Sequence, residues 1–219
     1  MTTFPRSPRL VKGGLVLMNP VSGAVERIIA LQYNPDSVTR SFQVLGAGSE
    51  GADRSEALRL KGPAVETIRI ETEIDATDQL EFPSENPDTV YLGIQHQLAA
   101  LEIIVYPSSA TLSFNNEIAQ SGEIEIVPME TSLAVFVWSR ERVVPVRITE
   151  LSITEEAFDA SLNPIRARIN LSMRVLSVND TGFHHKAGML FMSYLQNKER
   201  LSGRFRNATY DTLGITPIY

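Results

Sequence analysis

The residues best equipped for chemistry in this chain are carboxylates and imidazoles. Glu155, Glu156 and Asp159 stand within one short stretch, "TEEAFD", and two acids facing each other across a cleft are the machinery of glycoside hydrolysis. All three fall at the tip of a predicted hairpin, where carboxylates are solvated and keep ordinary pKa values. Nothing there would hold an acid protonated at neutral pH for general-acid work. The histidines are His96, His184 and His185. His96 lies on a predicted helix with no partner at i+4. His184 and His185 are adjacent, which in extended chain points them to opposite faces, whereas a metal pair needs one face. The sequence contains no cysteine, which removes thiolate ligands, cysteine nucleophiles and disulfides. It has no GxSxG or GxxxxGK[ST], and "LGAGSEG" is not framed by the strand, turn and helix of a dinucleotide site. Gly46, Gly48 and Gly51 supply flexibility instead. The sequence supports no catalysis, no cofactor and no metal site.

The 219 residues are at the upper end of one all-β domain and short for two, and at 43% hydrophobic they can bury a core. No apolar stretch approaches a membrane span, and "GLVLM" is too short for a secretory core, so the expectation is a soluble chain, made and assembled in the cytoplasm. A formal charge of −6 argues against nucleic acid as the main partner. The charges are segregated. Residues 62–90 carry eight acids against Arg69, whereas residues 186–206 carry Lys186, Lys198, Arg200, Arg204 and Arg206 against Glu199. Such a separation can steer copies into head-to-tail assembly.

The elements that must position these groups are mostly strands. Asn-Pro pairs at Asn19-Pro20, Asn34-Pro35, Asn86-Pro87 and Asn163-Pro164 punctuate the chain, because proline fixes φ and the asparagine side chain closes a turn. Residues 13–44 read as three strands, and residues 45–57 as a mobile Gly/Ser-rich loop. "PAVETIRIETEID" alternates, with Ile68, Ile70 and Ile74 facing inward and Arg69, Glu71, Glu73 and Asp75 outward. Residues 86–106 change period: Tyr91, Ile94, Leu98, Leu101 and Val105 form one helical stripe, begun by Asn86 and Pro87 and stopped by Pro107. "ATLSFNN", "GEIEIVP" and "TSLAVFVW" read as short strands, the last ending at a buried Trp138. "HHKAGMLFMSYLQNKERLSG" is an amphipathic helix with Ala187, Leu190, Phe191, Tyr194 and Leu195 on its stripe. It opens a 178–219 extension of helix and polar tail.

The longest regular feature is a ribbon. Val144, Val146 and Ile148 share a face, then Leu151 and Ile153 continue out of phase, which predicts a β-bulge at Thr149-Glu150. On the return strand Ile165, Ala167, Ile169, Leu171, Met173 and Val175 alternate with Arg166, Arg168, Asn170, Ser172, Arg174 and Leu176. That is about 36 Å of strand with one dry and one wet face, longer than an ordinary sandwich strand. A barrel wall, or a ribbon reaching a neighbouring subunit, explains such length.

Two blocks resemble the tube and baseplate-hub proteins of contractile injection systems. "ERIIALQYNPDSVTRSFQ" is similar to their N-terminal signature, with Tyr33, Asn34 and Pro35 in the aromatic-Asn-Pro positions. "VPVRITELSITEEAFDASLNPIRARINLSMRVLS" resembles the second block, with Thr154 to Asp159 as the acidic tip, Leu162 to Pro164 as Leu-Asn-Pro, and Val175-Leu176 closing the strand. The resemblance implies a mainly β fold, an antiparallel barrel of phage tail-tube type with a flanking helix and a C-terminal helix, built as one domain over residues 1–219. It also implies hexameric rings stacked into a channel, located where the inner tube joins the spike and baseplate, in a phage-tail-like particle. Inner-tube subunits, the spike and baseplate proteins are the implied partners. Some relatives append a LysM module; after Leu176 this chain reads as helix and tail instead.

The expected assembly contacts are the tip residues: Phe158 and Leu162 as apolar contacts, Glu155, Glu156 and Asp159 fixing orientation, and Asn163 closing the turn. A monomeric β-barrel holding a ligand or carbohydrate is the second reading, and needs a concave aromatic-lined site. A hydrolase using the tip acids is the third.

Overall fold

The computed structural model describes residues 10–46, 58–120, 131–216 and 218. Seven strands form one antiparallel sheet in the order β2-β1-β5-β6-β7-β4-β3. They are β1 (Gly14–Met18), β2 (Val25–Ala30), β3 (Val38–Gln43), β4 (Val65–Asp75), β5 (Leu133–Ser139), β6 (Arg142–Phe158) and β7 (Pro164–Val175). The helices are α1 (Thr77–Leu80), α2 (Pro87–Leu92), α3 (Gln95–Glu102), α4 (Ser109–Gln120), α5 (Val178–Thr181) and α6 (Lys186–Ser202), with a 3₁₀ turn at Tyr210–Leu213.

The fold is mainly β and antiparallel with added helices, as expected, but the sheet is not closed into a barrel: β2 and β3 lie at its two edges. Yet these edge strands are consecutive in the chain, joined by residues 31–37. In a flat sheet β1 and β4, four places apart in this order, would lie about 19 Å from each other, but Gln32 bonds to Asp75 of β4 and Asn34 to Gly13 beside β1. The sheet must therefore curl until the edges approach. A slit remains because no ladder joins β2 to β3.

The curl wraps the alternating apolar residues into a core. Leu15 and Leu17, Ile68 and Ile70, Phe136, Val144 and Val146, Leu171, Met173 and Val175 form its main body, closed by Phe191 and Tyr194 of α6. A second cluster joins Ile74, Ala167 and Ile169 to Ile94, Leu98 and Leu101, so α3 flanks the distal half of β4 and β7. The bulge predicted on β6 is present, with pairing slipping between Ile148 and Glu150. Trp138 is half-buried rather than buried and stacks on Phe136 with centroids 6.0 Å apart.

Two helical expectations change. Residues 86–106 do not form one helix. Gly93 adopts φ 57° and ψ −133°, a conformation that ends α2 before α3 begins. The break turns the stripe: Ile94, Leu98 and Leu101 are buried, while Tyr91 is 77% exposed and Val105 is exposed. "ATLSFNN" is part of helix α4 rather than a strand. Ser108 accepts from the Thr111 amide with its Oγ at 3.1 Å, the N-cap arrangement that starts a helix, and the short alternation that suggested a strand had no β-branched run to support it. "GEIEIVP" lies outside the described residues, as does most of the 45–57 loop; Gly46 forms a bridge with Leu60.

Candidate assembly surfaces

At the distal end of the ribbon the chain reverses over Asp159–Asn163. The Asp159 Oδ1 accepts from the Ser161 amide at 2.7 Å and the Asn163 amide at 2.8 Å, and its Oδ2 accepts from Asn163 Nδ2 at 2.8 Å. The Asn163 side chain, seconded by backbone bonds, holds the Asp159 carboxyl below the usual carboxylate range. Asn163 Nδ2 also donates to the Tyr91 carbonyl at 3.1 Å, and the Ile94 amide donates to the Pro164 carbonyl at 2.8 Å. A Cβ on Gly93 would lie 2.1 Å from that same carbonyl, so only glycine lets the helix break seat against the turn.

The six tip residues thus divide. Asp159 and Asn163 close the turn and fasten it to α2–α3. Glu156 pairs with Arg168 at 3.2 Å. Glu155 is exposed, as are Phe158 at 50% and Leu162 at 77%. Leu162 has φ 65°, the one non-glycine in the left-handed region among the described residues.

The aromatic-Asn-Pro block works at the slit. Gln32 Nε2 donates to the Asp75 carbonyl at 2.7 Å and Gln32 Oε1 accepts from the Asp75 amide at 3.0 Å, a side chain imitating a strand neighbour. Thr72 Oγ1 donates to the Tyr33 carbonyl at 3.2 Å, and the Tyr33 hydroxyl donates to Asp78 at 3.1 Å. Asn34 Oδ1 accepts from the Gly13 amide and Asn34 Nδ2 donates to the Val11 carbonyl, both at 2.9 Å. The motif therefore staples the chain entering β1 to the end of β4, across the gap the ladder leaves open.

The outward face of β4, β7 and β6 is a polar wall. Cross-strand rows read Thr67–Arg174–Arg147, Arg69–Ser172–Glu150, Glu71–Asn170–Ser152 and Glu73–Arg168–Thr154. Bases and acids both occur along it, and Arg166–Glu73 at 3.1 Å and Arg168–Glu71 at 3.3 Å tie rows together. Exposed pairs of this kind contribute little stability; their effect is a wet surface of mixed sign.

Sequence reasoning missed one cluster. Glu66 is 3% exposed and faces the core. It accepts from Arg40 Nε at 2.7 Å, Lys198 Nζ at 2.9 Å and the Tyr194 hydroxyl at 3.0 Å. Burial alone would raise its carboxyl; the hydrogen bonds from Lys198 and Arg40 outweigh this and leave it below the ordinary glutamate range. Burial and the facing Glu66 charge push the Tyr194 hydroxyl up to about 12. The signal was legible: Glu66 has the parity of Ile68 and Ile70. This cluster also consumes charges expected to steer assembly, since Glu66 and Lys198 belong to the acidic and basic segments and pair within one chain. Arg200 is spent on Glu141 at 2.5 Å.

A cavity of about 390 Å³ between β2 and α3 is lined by Ile28, Ile74, Leu101, His96 and other residues, with no phenylalanine, tyrosine or tryptophan. It lacks the aromatic lining that a carbohydrate-holding barrel needs, whereas a cavity of about 300 Å³ against α6 has Phe42, Phe191 and Tyr194 among its lining residues. Among the described residues no helix is long and apolar enough to cross a membrane, which leaves strands unaddressed.

No family model matches this chain, and no curated protein matches it. Among solved structures, a chain from the tail of an empty GTA particle, computed with helical refinement and C6 symmetry, is similar at 13% identity over 74% of this chain and 90% of that one. The TM-score is 0.28, too low for the superposition to carry an argument.

Proposed function

We propose that this chain is a structural, non-enzymatic subunit of a contractile injection system. In this reading it acts as one tail-tube-like domain, and its copies form a hexameric ring joining the inner tube to the spike and baseplate. The supporting observation is the sheet itself: a dry inner face, a polar outer wall across β4, β7 and β6, and two unpaired edges. A lone protein with such edges is open to uncontrolled pairing. A ring of copies would cover those edges and turn the polar wall toward water or toward neighbours. The two sequence blocks that resemble the family each have a structural task, Tyr33-Asn34-Pro35 at the slit and Leu162-Asn163-Pro164 at the tip, so the resemblance falls on residues the fold uses. The tip residues Glu155, Phe158 and Leu162 are the contacts we assign to an adjacent protomer or ring.

Electron microscopy of particles from a producing cell, with this chain labelled, tests the reading. Sixfold density on the particle axis at the junction of tube and spike is the expected result. A lone globule beside the spike, or particles that assemble complete without the chain, would overturn it.

A further inference from the structure

Beyond α6 the chain continues as an arm with its side chains in solvent. Every described residue from 203 to 216 is exposed, among them Phe205 at 75% and Leu213 at 67%. Arg204 and Arg206 flank Phe205, and the arm's single acid is Asp211. An apolar segment held off its own protein marks a contact made elsewhere.

The α1–α2 region and the ribbon tip have the opposite charge and the same need. Residues 77–92 carry Asp78, Glu81, Glu85 and Asp88 and no base. Asp88 lies three positions before the exposed Tyr91, so the two share a helix face. Asn163 ties Tyr91 to the turn that presents Leu162. Two exposed apolar side chains, Tyr91 and Leu162, thus stand on segments fastened to each other, within an acidic stretch of chain.

The two surfaces lie at opposite ends of the molecule. Arg200 and Asn197 hold the end of α6 to Glu141, beside the first residue of β6, while the fastened segments adjoin the last residues of that strand. A strand of 17 residues covers about 50 Å, and Phe205 sits only two residues past the end cap of α6, Gly203. The arm therefore cannot place Phe205 on its own Tyr91 and Leu162. We propose that the arm docks on the α2 and tip segments of a second copy of this chain, with Phe205 against Tyr91 and Leu162, and Arg204 and Arg206 against Asp88 and Glu85. Such a contact is head-to-tail: it joins unlike surfaces, and closes a ring or stacks rings according to the rotation between copies. Its place in a particle rests on the ring-subunit reading.

The cysteine-free sequence makes the test clean. Full-length single-cysteine variants Phe205→Cys and Tyr91→Cys are mixed and oxidised, and the mixed 91–205 disulfide is measured by mass spectrometry against a control pair, Phe205→Cys with Val21→Cys. The expected yield exceeds the control by about tenfold; Asp88→Lys on the Tyr91→Cys chain lowers it by about tenfold, and Arg204→Glu with Arg206→Glu on the other chain restores it. A yield equal to the control overturns the contact. So does a disulfide formed within one chain by the double variant, which would mean that the arm folds back. Sixfold rings surviving deletion of residues 203–219, with no crosslink, would remove this contact and leave the ring-subunit reading standing. A crosslink from a protein found off the particle axis would uphold the contact and remove that reading.

Discussion

The two ends of the β6–β7 ribbon use similar residues for different ends. At the root, Glu66, Arg40, Tyr194 and Lys198 are drawn into one another, and Glu141 holds Arg200. At the tip, Glu155, Phe158 and Leu162 stand in solvent. A charge sealed against the core belongs to the fold, because leaving it unpaired there is costly. A charge or a large apolar side chain that its own chain leaves exposed is free for a partner. Charge counts along the sequence could not separate these two fates; parity within a strand could.

The sharpest way to break the contrast is at the joint that carries the tip. Gly93→Ala sets a Cβ against the Pro164 carbonyl and forces a non-glycine to φ 57°, so we expect a loss of about 4 kcal/mol, read as a drop in the urea midpoint. Next is the root. Glu66→Gln leaves Arg40 and Lys198 without their anion and should destabilise by about 3 kcal/mol. Its pH signature has a definite sign. A carboxyl held below its unfolded pKa stabilises the fold above that value, about 4.3, and the contribution disappears as pH falls through the folded pKa. Wild-type stability should therefore decline below about pH 4 more steeply than that of Glu66→Gln. Tyr194 acts at the other extreme. Its hydroxyl is pushed up to about 12, so stability should fall as pH rises from about 10, and Tyr194→Phe should abolish that fall. An acid limb unchanged by Glu66→Gln would show that the root cluster does not couple to folding. Asn163→Ala comes third, at about 1–2 kcal/mol, for the loss of its bonds to Asp159 and Tyr91.

Much of this was readable beforehand because period and punctuation are local properties. The alternation of β4 and β7, the bulge on β6, the amphipathic α6 and the turns at the Asn-Pro pairs each follow from a few adjacent residues. The errors came where a distant partner decides. Nothing in residues 86–106 says that Gly93 will meet the Pro164 carbonyl, yet that meeting breaks the helix and turns Tyr91 outward. The open edge has the same origin, since sheet closure depends on where β2 and β3 end after the whole sheet has curled. Of the tip, its location was legible. That Asp159 and Asn163 would be occupied within their own chain, leaving Glu155, Phe158 and Leu162 outward, was not, because the α2–α3 joint that fastens the turn is some seventy residues away in sequence.

The smallest expected change in stability gives the finest test of what the tip is for. Leu162 holds φ 65° with its side chain 77% exposed. A leucine in the left-handed region is strained by about 1 kcal/mol relative to a residue suited to it, and this one recovers almost nothing by burial in its own chain. Asparagine tolerates the same backbone readily. Leu162→Asn should therefore raise the stability of the monomer slightly, by about 0.5 kcal/mol, seen as a higher urea midpoint with an unchanged slope. If the leucine is there for a partner, the same substitution should reduce ring or particle yield, so stability and assembly move in opposite directions. A purely local role predicts the reverse, a less stable monomer with assembly unaffected. Phe158→Ser is the companion measurement: Phe158 ends β6 beside a slip in register but, unlike Leu162, is not in the left-handed region, so it should leave the midpoint nearly unchanged and lower assembly alone. Strain retained at an exposed apolar residue is then evidence of a contact completed outside the chain.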